Sequence, residues 1–267
     1  MLFSTSISAR FFGSLALAAL LAPSVVLSVS GCKKTQTDAN AAPRTSATTH
    51  SAELAPPPAA PAGTIETVDV PDDRKVLVIG GAVGRPIVHL HGMCSEARPD
   101  LQAWGSTIRE HGTIIALQGD APCPNGTGGT SWSNDMASLD ARIESAISAV
   151  GAAHGKELDS SRIILIGESM GASRATSLAS RFPDKYRRLV LVGGPETPSS
   201  KDLGGVRVVA LLAGDKEPQE KMRQGAVSLE NAGITARFWE LAGASHGSYG
   251  HDGARTMAEA VAFAASK

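Results

Sequence analysis

Apolar and polar positions along the chain alternate between two kinds of run. Short, unbroken apolar segments read as buried strands, and longer segments with apolar residues three and four apart read as helices. Val76–Ile79 and Pro86–Leu90 read as strands, the second running directly into His91-Gly92. A helical stretch over Asp100–His111 follows, then a strand over Thr113–Leu117. The segment Gly119–Ser133 holds Pro122, Pro124 and several glycines, a composition too broken for regular structure. Asn134 or Asp135 can cap a helix from Met136 to about His154, whose apolar positions Met136, Leu139, Ile143, Ala146, Ile147 and Val150 fall on one face. Arg162–Ile166 contains an apolar run that does not alternate, as expected of a strand buried on both sides at the centre of a parallel sheet. Helix Gly171–Arg181, strand Arg188–Val192, strand Val206–Leu212, helix Pro218–Asn231, strand Ala236–Leu241 and helix Ala254–Ala265 complete the series. The pattern predicts an α/β fold, a mostly parallel central sheet with helices on both faces.

The first quarter of the chain has a different character. Arg10 is the only charge before an apolar run, Phe11 to Val29, that closes on small residues at Ser30-Gly31-Cys32. This is the layout of an export signal, and Pro23 and several serines make it a poor membrane span. Val29-Ser30-Gly31-Cys32 resembles a bacterial lipobox, which implies cleavage after residue 31 and a lipid on Cys32. Residues 33–66 are rich in Ala, Thr, Ser and Pro, with no aromatic residue, and read as a disordered tether. A tether of that length reaches roughly 30 Å root-mean-square. The expected organisation is therefore a signal peptide over 1–31, a lipidated Cys32 with its tether to residue 66, and one globular domain over 67–267. The expected location is the bacterial cell envelope, at a membrane that the folded domain does not enter.

Net charge and cysteine count narrow the possibilities further. The formal net charge is -1 at pH 7, with both signs spread along the domain, so no basic stripe points to a nucleic-acid partner. With Cys32 taken by lipid, Cys94 and Cys123 remain, and an oxidising compartment favours a disulfide between them over two separate buried thiols.

The chemistry concentrates at Gly167-Glu168-Ser169-Met170-Gly171, a G-x-S-x-G sequence between a buried strand and a helix. That context is a nucleophile elbow, a tight turn that lifts the serine hydroxyl to the carboxyl end of the sheet. A serine hydroxyl needs a base. His246, in Leu241-Ala242-Gly243-Ala244-Ser245-His246-Gly247, follows the last strand at the place a base must occupy, with His251 a more distant competitor. The imidazole in turn needs an acid, and Gly214-Asp215-Lys216-Glu217-Pro218 offers two. His89 and His91, two apart on a strand with no carboxylate cluster beside them, do not make a metal site, and no cofactor is expected.

The order oxyanion loop, serine, acid, histidine, each after a strand, resembles the α/β-hydrolase superfamily over nearly all of residues 75–265. More narrowly it resembles the small carboxylesterase and dienelactone-hydrolase-like branch. That resemblance implies a Ser169–His246–acid triad and an oxyanion hole built from the N–H groups of Met93 and Met170, with Gly92 admitting the substrate. The spacing usual in such hydrolases favours Glu217 as the acid, whereas the commoner residue type favours Asp215. Dienelactone hydrolases proper carry Cys where this chain has Ser169, so their lactone chemistry is not implied. Only thirteen residues separate the strands at 188–192 and 206–212, too few for a lid domain. Trp132 is expected to wall the site, against substrate or as a structural plug. The implied activity is hydrolysis of a small or soluble carboxylic ester by a monomer. Acyl transfer by the same residues and a non-catalytic binding role are the alternatives.

Overall fold

A computed structural model describes residues 63–124, 126 and 128–266 of the 267-residue chain. The expected signal peptide and Cys32 lie outside the described residues.

Eight strands form one sheet in the order β1-β2-β4-β3-β7-β8-β9-β10. They are β1 (Glu66–Val68), β2 (Val76–Ile79), β3 (Pro86–Leu90), β4 (Thr113–Ala116), β7 (Ile164–Glu168), β8 (Arg188–Val192), β9 (Val208–Gly214) and β10 (Thr235–Leu241). A separate two-stranded ribbon pairs β5 (Ala121–Pro122) with β6 (Thr130–Ser131). From β4 to β10 every neighbouring pair is parallel, and β1 and β2 form an antiparallel margin.

The central strands are almost wholly apolar because both faces of the sheet are covered there, whereas the edge strand β10 alternates, with Thr235, Arg237 and Glu240 exposed. On one side, α3 (Met136–Ala153), α4 (Met170–Arg181) and α6 (Glu220–Asn231) pack Leu139, Ile143, Leu178 and Leu229 against Leu165, Leu191 and Leu211. On the other, α7 (Gly253–Ala265) and the helical stretch Ala97–His111 pack Met257, Val261, Leu101 and Trp104 against Ile164, Ile166 and Leu212. That stretch is α1 (Ala97–Asp100), a π-helical turn Leu101–Gly105, α2 (Ser106–Ile108) and a 3-10 turn Arg109–His111. Asp135 caps α3, its side chain accepting from the N–H groups of Ala137 and Ser138.

Where the structure departs from the pattern, the causes are local. Glu66, expected as the last residue of the tether, opens β1 because its register with Val78 gives the margin of the sheet a partner. The central strand β7 runs two residues later than expected. Asp159 caps a 3-10 turn at Ser160–Arg162, and Gly167 and Glu168 stay paired with Leu191 and Val192. The β5–β6 ribbon and the one-turn helix α5 (Ser200–Leu203) carry no periodic signal, being too short to show one. Chain direction reverses around β3: the path leaves it for β4, then returns through α3 to β7 on its other side. In a sheet of this type, the carboxyl ends of strands at such a reversal flank a crevice.

Candidate active site

Ser169 occupies the crevice formed at that reversal. It sits between β7 and α4 with φ 51 and ψ -115, a backbone conformation outside the regions ordinary L residues favour. The flanking glycines make the turn possible. A Cβ on Gly167 would lie 2.3 Å from the carbonyl oxygen of Gly171, and one on Gly171 would lie 2.0 Å from that of Leu90 on β3. Helix α4 can therefore approach the sheet closely only with glycine at both places.

His246 follows β10, and its Nε2 lies 2.8 Å from Ser169 Oγ. Its Nδ1 lies 2.6 Å from Glu217 Oε2. The second oxygen, Oε1, accepts the N–H of Gly214 at 2.8 Å, which limits rotation of the carboxylate. Both sequence signals for the acid fall in this one loop, and the geometry selects Glu217. Asp215 is exposed and contributes only its N–H, to the carbonyl of Leu241, because the turn directs its side chain to solvent. Gly193, after β8, passes so close that a Cβ there would lie 3.2 Å from His246 Nδ1. His251 is exposed, and its ring lies against Gly243, where a Cβ would come within 2.7 Å of it. The imidazole of His246 is 54% exposed and Glu217 only 10%, so the ring is open to solvent while the carboxylate behind it is sheltered.

The loop after β3 is the second wall. A Cβ on Gly92 would lie 3.4 Å from Ser169 Cβ, so the backbone of Gly92-Met93 runs beside Ser169. Met170 opens α4, and a first-turn N–H has no partner within its own helix. His91 holds the loop from below. Its Nδ1–H donates to the Gly92 carbonyl at 2.7 Å, and its Nε2 accepts from the Gly119 N–H at 3.0 Å and lies 3.1 Å from Thr130 Oγ1. Those roles require the neutral ring, and burial lowers its pKa to about 4. His89 instead bonds Asp100 at 2.8 Å. The two histidines face separate partners.

Trp132 is the plug. Although one expectation set it against substrate, it is 3% exposed, and its Nε1–H donates to the His91 carbonyl at 2.8 Å. A flat ring on a short ribbon fills the space under the loop that His91 and Gly92 leave. Cys94 and Cys123 form the expected disulfide, with Cα atoms 4.9 Å apart. The bridge ties the residue after Met93 to the ribbon, and Ser95 adds a β-bridge to Thr130.

Glu168 was not singled out from the sequence. It is buried, and its carboxyl lies against the oxyanion-loop backbone, where a Cβ on Gly92 would come within 2.2 Å of Oε2. Burial, and next the charge of Asp100, push its pKa up to about 7, while His246 and His89 pull the other way. The available signal was a charged residue ending an otherwise apolar central strand. A cavity of about 220 Å³ lies between α4 and the segment after β8, lined by Ser173, Arg174, Gly194, Glu196, Asp202 and Met222 among others, and none of Ser169, His246 and Glu217 lines it.

No family model matches the chain, and no curated protein matches it. Solved structures do. The esterase PE8 is 21% identical with a TM-score of 0.52, the match covering 73% of this chain and 97% of that one. A Bacillus cereus carboxylesterase is 18% identical with a TM-score of 0.51, covering 71% and 93%. A carboxylesterase from Mesorhizobium loti is 18% identical with a TM-score of 0.51, covering 74% and 99%. At these identities the likeness establishes the architecture: the described domain has the α/β-hydrolase fold.

Proposed function

We propose that this chain is a serine hydrolase that cleaves the carboxylic ester of a small or soluble substrate through an acyl-enzyme on Ser169. The observation that carries this reading is the unbroken line from Ser169 Oγ through His246 to Glu217, at 2.8 and 2.6 Å.

In that reading His246 Nε2 takes the hydroxyl proton as Oγ attacks the ester carbonyl. Nδ1–H already points at Glu217, so the ring is in the tautomer that leaves Nε2 able to accept. The charge that develops on the imidazole is balanced at Glu217. The N–H groups of Met93 and Met170 would receive the oxyanion, a contribution worth about 3–4 kcal/mol per donor in comparable sites. His246 then protonates the leaving alcohol, and water repeats the sequence on the acyl-enzyme to release the acid. The exposed imidazole and the solvent-open crevice favour a substrate that arrives from water. The neighbouring solved structures are described as esterases and carboxylesterases, which supports the same chemistry.

The lipobox resemblance places the domain, in the same proposal, on a tether from a lipidated Cys32 in the bacterial envelope, acting as a monomer. A fluorophosphonate probe applied at neutral pH tests the catalytic part. Labelling of the wild type that disappears in Ser169→Ala is expected, and a wild type that takes no label overturns it. Mass spectrometry of the chain from its native host tests the anchor, through acyl mass on Cys32.

A further inference from the structure

The end of the sheet opposite the triad is lined with arginine. Arg85 immediately precedes β3, Arg162 lies just before β7, Arg187 precedes β8 and Arg188 begins it, and Arg207 precedes β9. Register sets them side by side. Ile87 pairs with Ile164, Leu165 with Leu189 and Arg188 with Val208, and the N–H groups of Arg207 and Val208 both donate to the Arg187 carbonyl. Four adjacent strands at about 4.8 Å spacing give a row roughly 15 Å long. The charges act on one another. Besides burial, Arg162 and Arg188 lower the pKa of Arg85, and Arg207, Arg162 and Arg187 lower that of Arg188. Carboxylates set against the row include Asp159, which acts on Arg85 and Arg162, and Asp184, paired with Arg187.

The chain enters the domain at this same end. β1 is antiparallel to β2 and β2 to β4, so β1 starts where the parallel strands start. Gly63, the first described residue, lies beside Ser106, and 62 residues precede it. Arg162 and Arg207 are exposed, Arg187 and Arg188 half-buried and Arg85 buried, so Arg162 and Arg207 present the row to its surroundings. This row coincides with the side from which an N-terminal anchor would pull.

We propose that the arginine-lined edge docks on an anionic lipid surface, the phosphate headgroups of the bilayer to which the chain is fastened. Attraction to such a surface decays within a Debye length, about 8 Å at physiological salt, so only residues at this edge would contribute. Each contributing arginine favours the docked state about fivefold. A tether of about 30 residues raises the local concentration of headgroups to the millimolar range, so a few such contacts suffice. Six residues, 163–168, separate Arg162 from Ser169, so the two lie seven extended steps, about 23 Å, apart along the strand. Docking would therefore turn the open triad away from the membrane, toward solutes. The proposal uses the anchor of the preceding section and is independent of whether Ser169 is a nucleophile.

The test uses the full chain in vesicles of phosphatidylcholine alone or with about one third phosphatidylglycerol, treated with phenylglyoxal and mapped by mass spectrometry. Arg162 and Arg207, both exposed, should be protected on the anionic vesicles and reactive on the neutral ones. Arg223 and Arg255, exposed elsewhere, should react equally on both, and high salt should abolish the difference. The double variant Arg162→Gln/Arg207→Gln should lower the docked-to-undocked ratio about 25-fold, read as renewed reactivity of Arg187, with circular dichroism confirming the fold. Equal reactivity on both vesicle types overturns the proposal, as does protection by RNA with none by anionic lipid. Hydrolysis of a soluble ester should be unchanged in the double variant. The hydrolase reading therefore stands or falls on Ser169→Ala alone.

Discussion

At the scale of single residues, three carboxyl groups near the serine have different fates, and each fate is testable. Glu217 and Asp215 are two positions apart, yet only Glu217 touches His246. Glu217→Gln should lower turnover on the order of 10⁴-fold, by leaving the imidazole in the wrong tautomer, while Asp215→Asn should change it little. Steady-state kinetics on any accepted ester decides between them, and equal losses would refute the assignment. Glu168 makes a thermodynamic prediction. Its pKa rises from 4.5 to about 7 on folding, so between those values the folded state holds a proton the unfolded state has released. Stability then falls as pH rises through that window, by up to about 3 kcal/mol. His91 has the opposite sign. Its pKa drops from 6.5 to about 4, so the unfolded state binds the extra proton and stability rises with pH across that range. The two slopes oppose one another between about pH 4.5 and 6.5. Urea titrations at pH 5 and pH 8 should show Glu168→Gln gaining relative to wild type at the higher pH. A constant difference would contradict the burial argument.

At the scale of elements, the loop after β3 is held by neighbours rather than by regular structure of its own. His91 bonds it from below, Trp132 fills the space beneath, and the Cys94–Cys123 bridge fastens it to the β5–β6 ribbon. The bridge spans 29 residues, so its loss should cost about 3–4 kcal/mol on the loop-closure argument. Cys94→Ser/Cys123→Ser should show that loss in urea unfolding. Because Met93 is next to Cys94, kcat should fall while the fluorophosphonate still reacts with Ser169. The elements that periodicity announced are those with long apolar runs or caps, such as α3 with Asp135 before it. The β5–β6 ribbon stayed silent because two-residue strands have no period to display. Its position is set by a disulfide and by the ring of Trp132, which are contacts distant in sequence.

At the scale of the molecule, one sheet separates two apolar layers. Leu178 lies in the layer under α4, and Met257 in the layer under α7, both fully buried. Truncating either to Ala should cost about 2–5 kcal/mol. With the sheet between them, the double variant should show the sum to within about 0.5 kcal/mol. Strong coupling would mean that the layers do not pack independently. The same sheet gives the molecule its polarity. Strand carboxyl ends carry the triad, and strand amino ends carry the arginine row.

The sequence alone determined the alternation of strands and helices, the tight turn that carries Ser169 and the histidine that faces it. Each of those is written in a local pattern: an unbroken apolar run, glycines two residues to either side of a serine, a base after the last strand. Tertiary structure decided which carboxylate serves His246, because a three-residue turn chooses which side chain faces inward. It also put Trp132 beneath the loop, Glu168 against Gly92, and arginines from four separate segments into one line. Such neighbours are created by strand register and by packing at close range, and nothing in a linear chain fixes a distance between residues that only the folded sheet brings together.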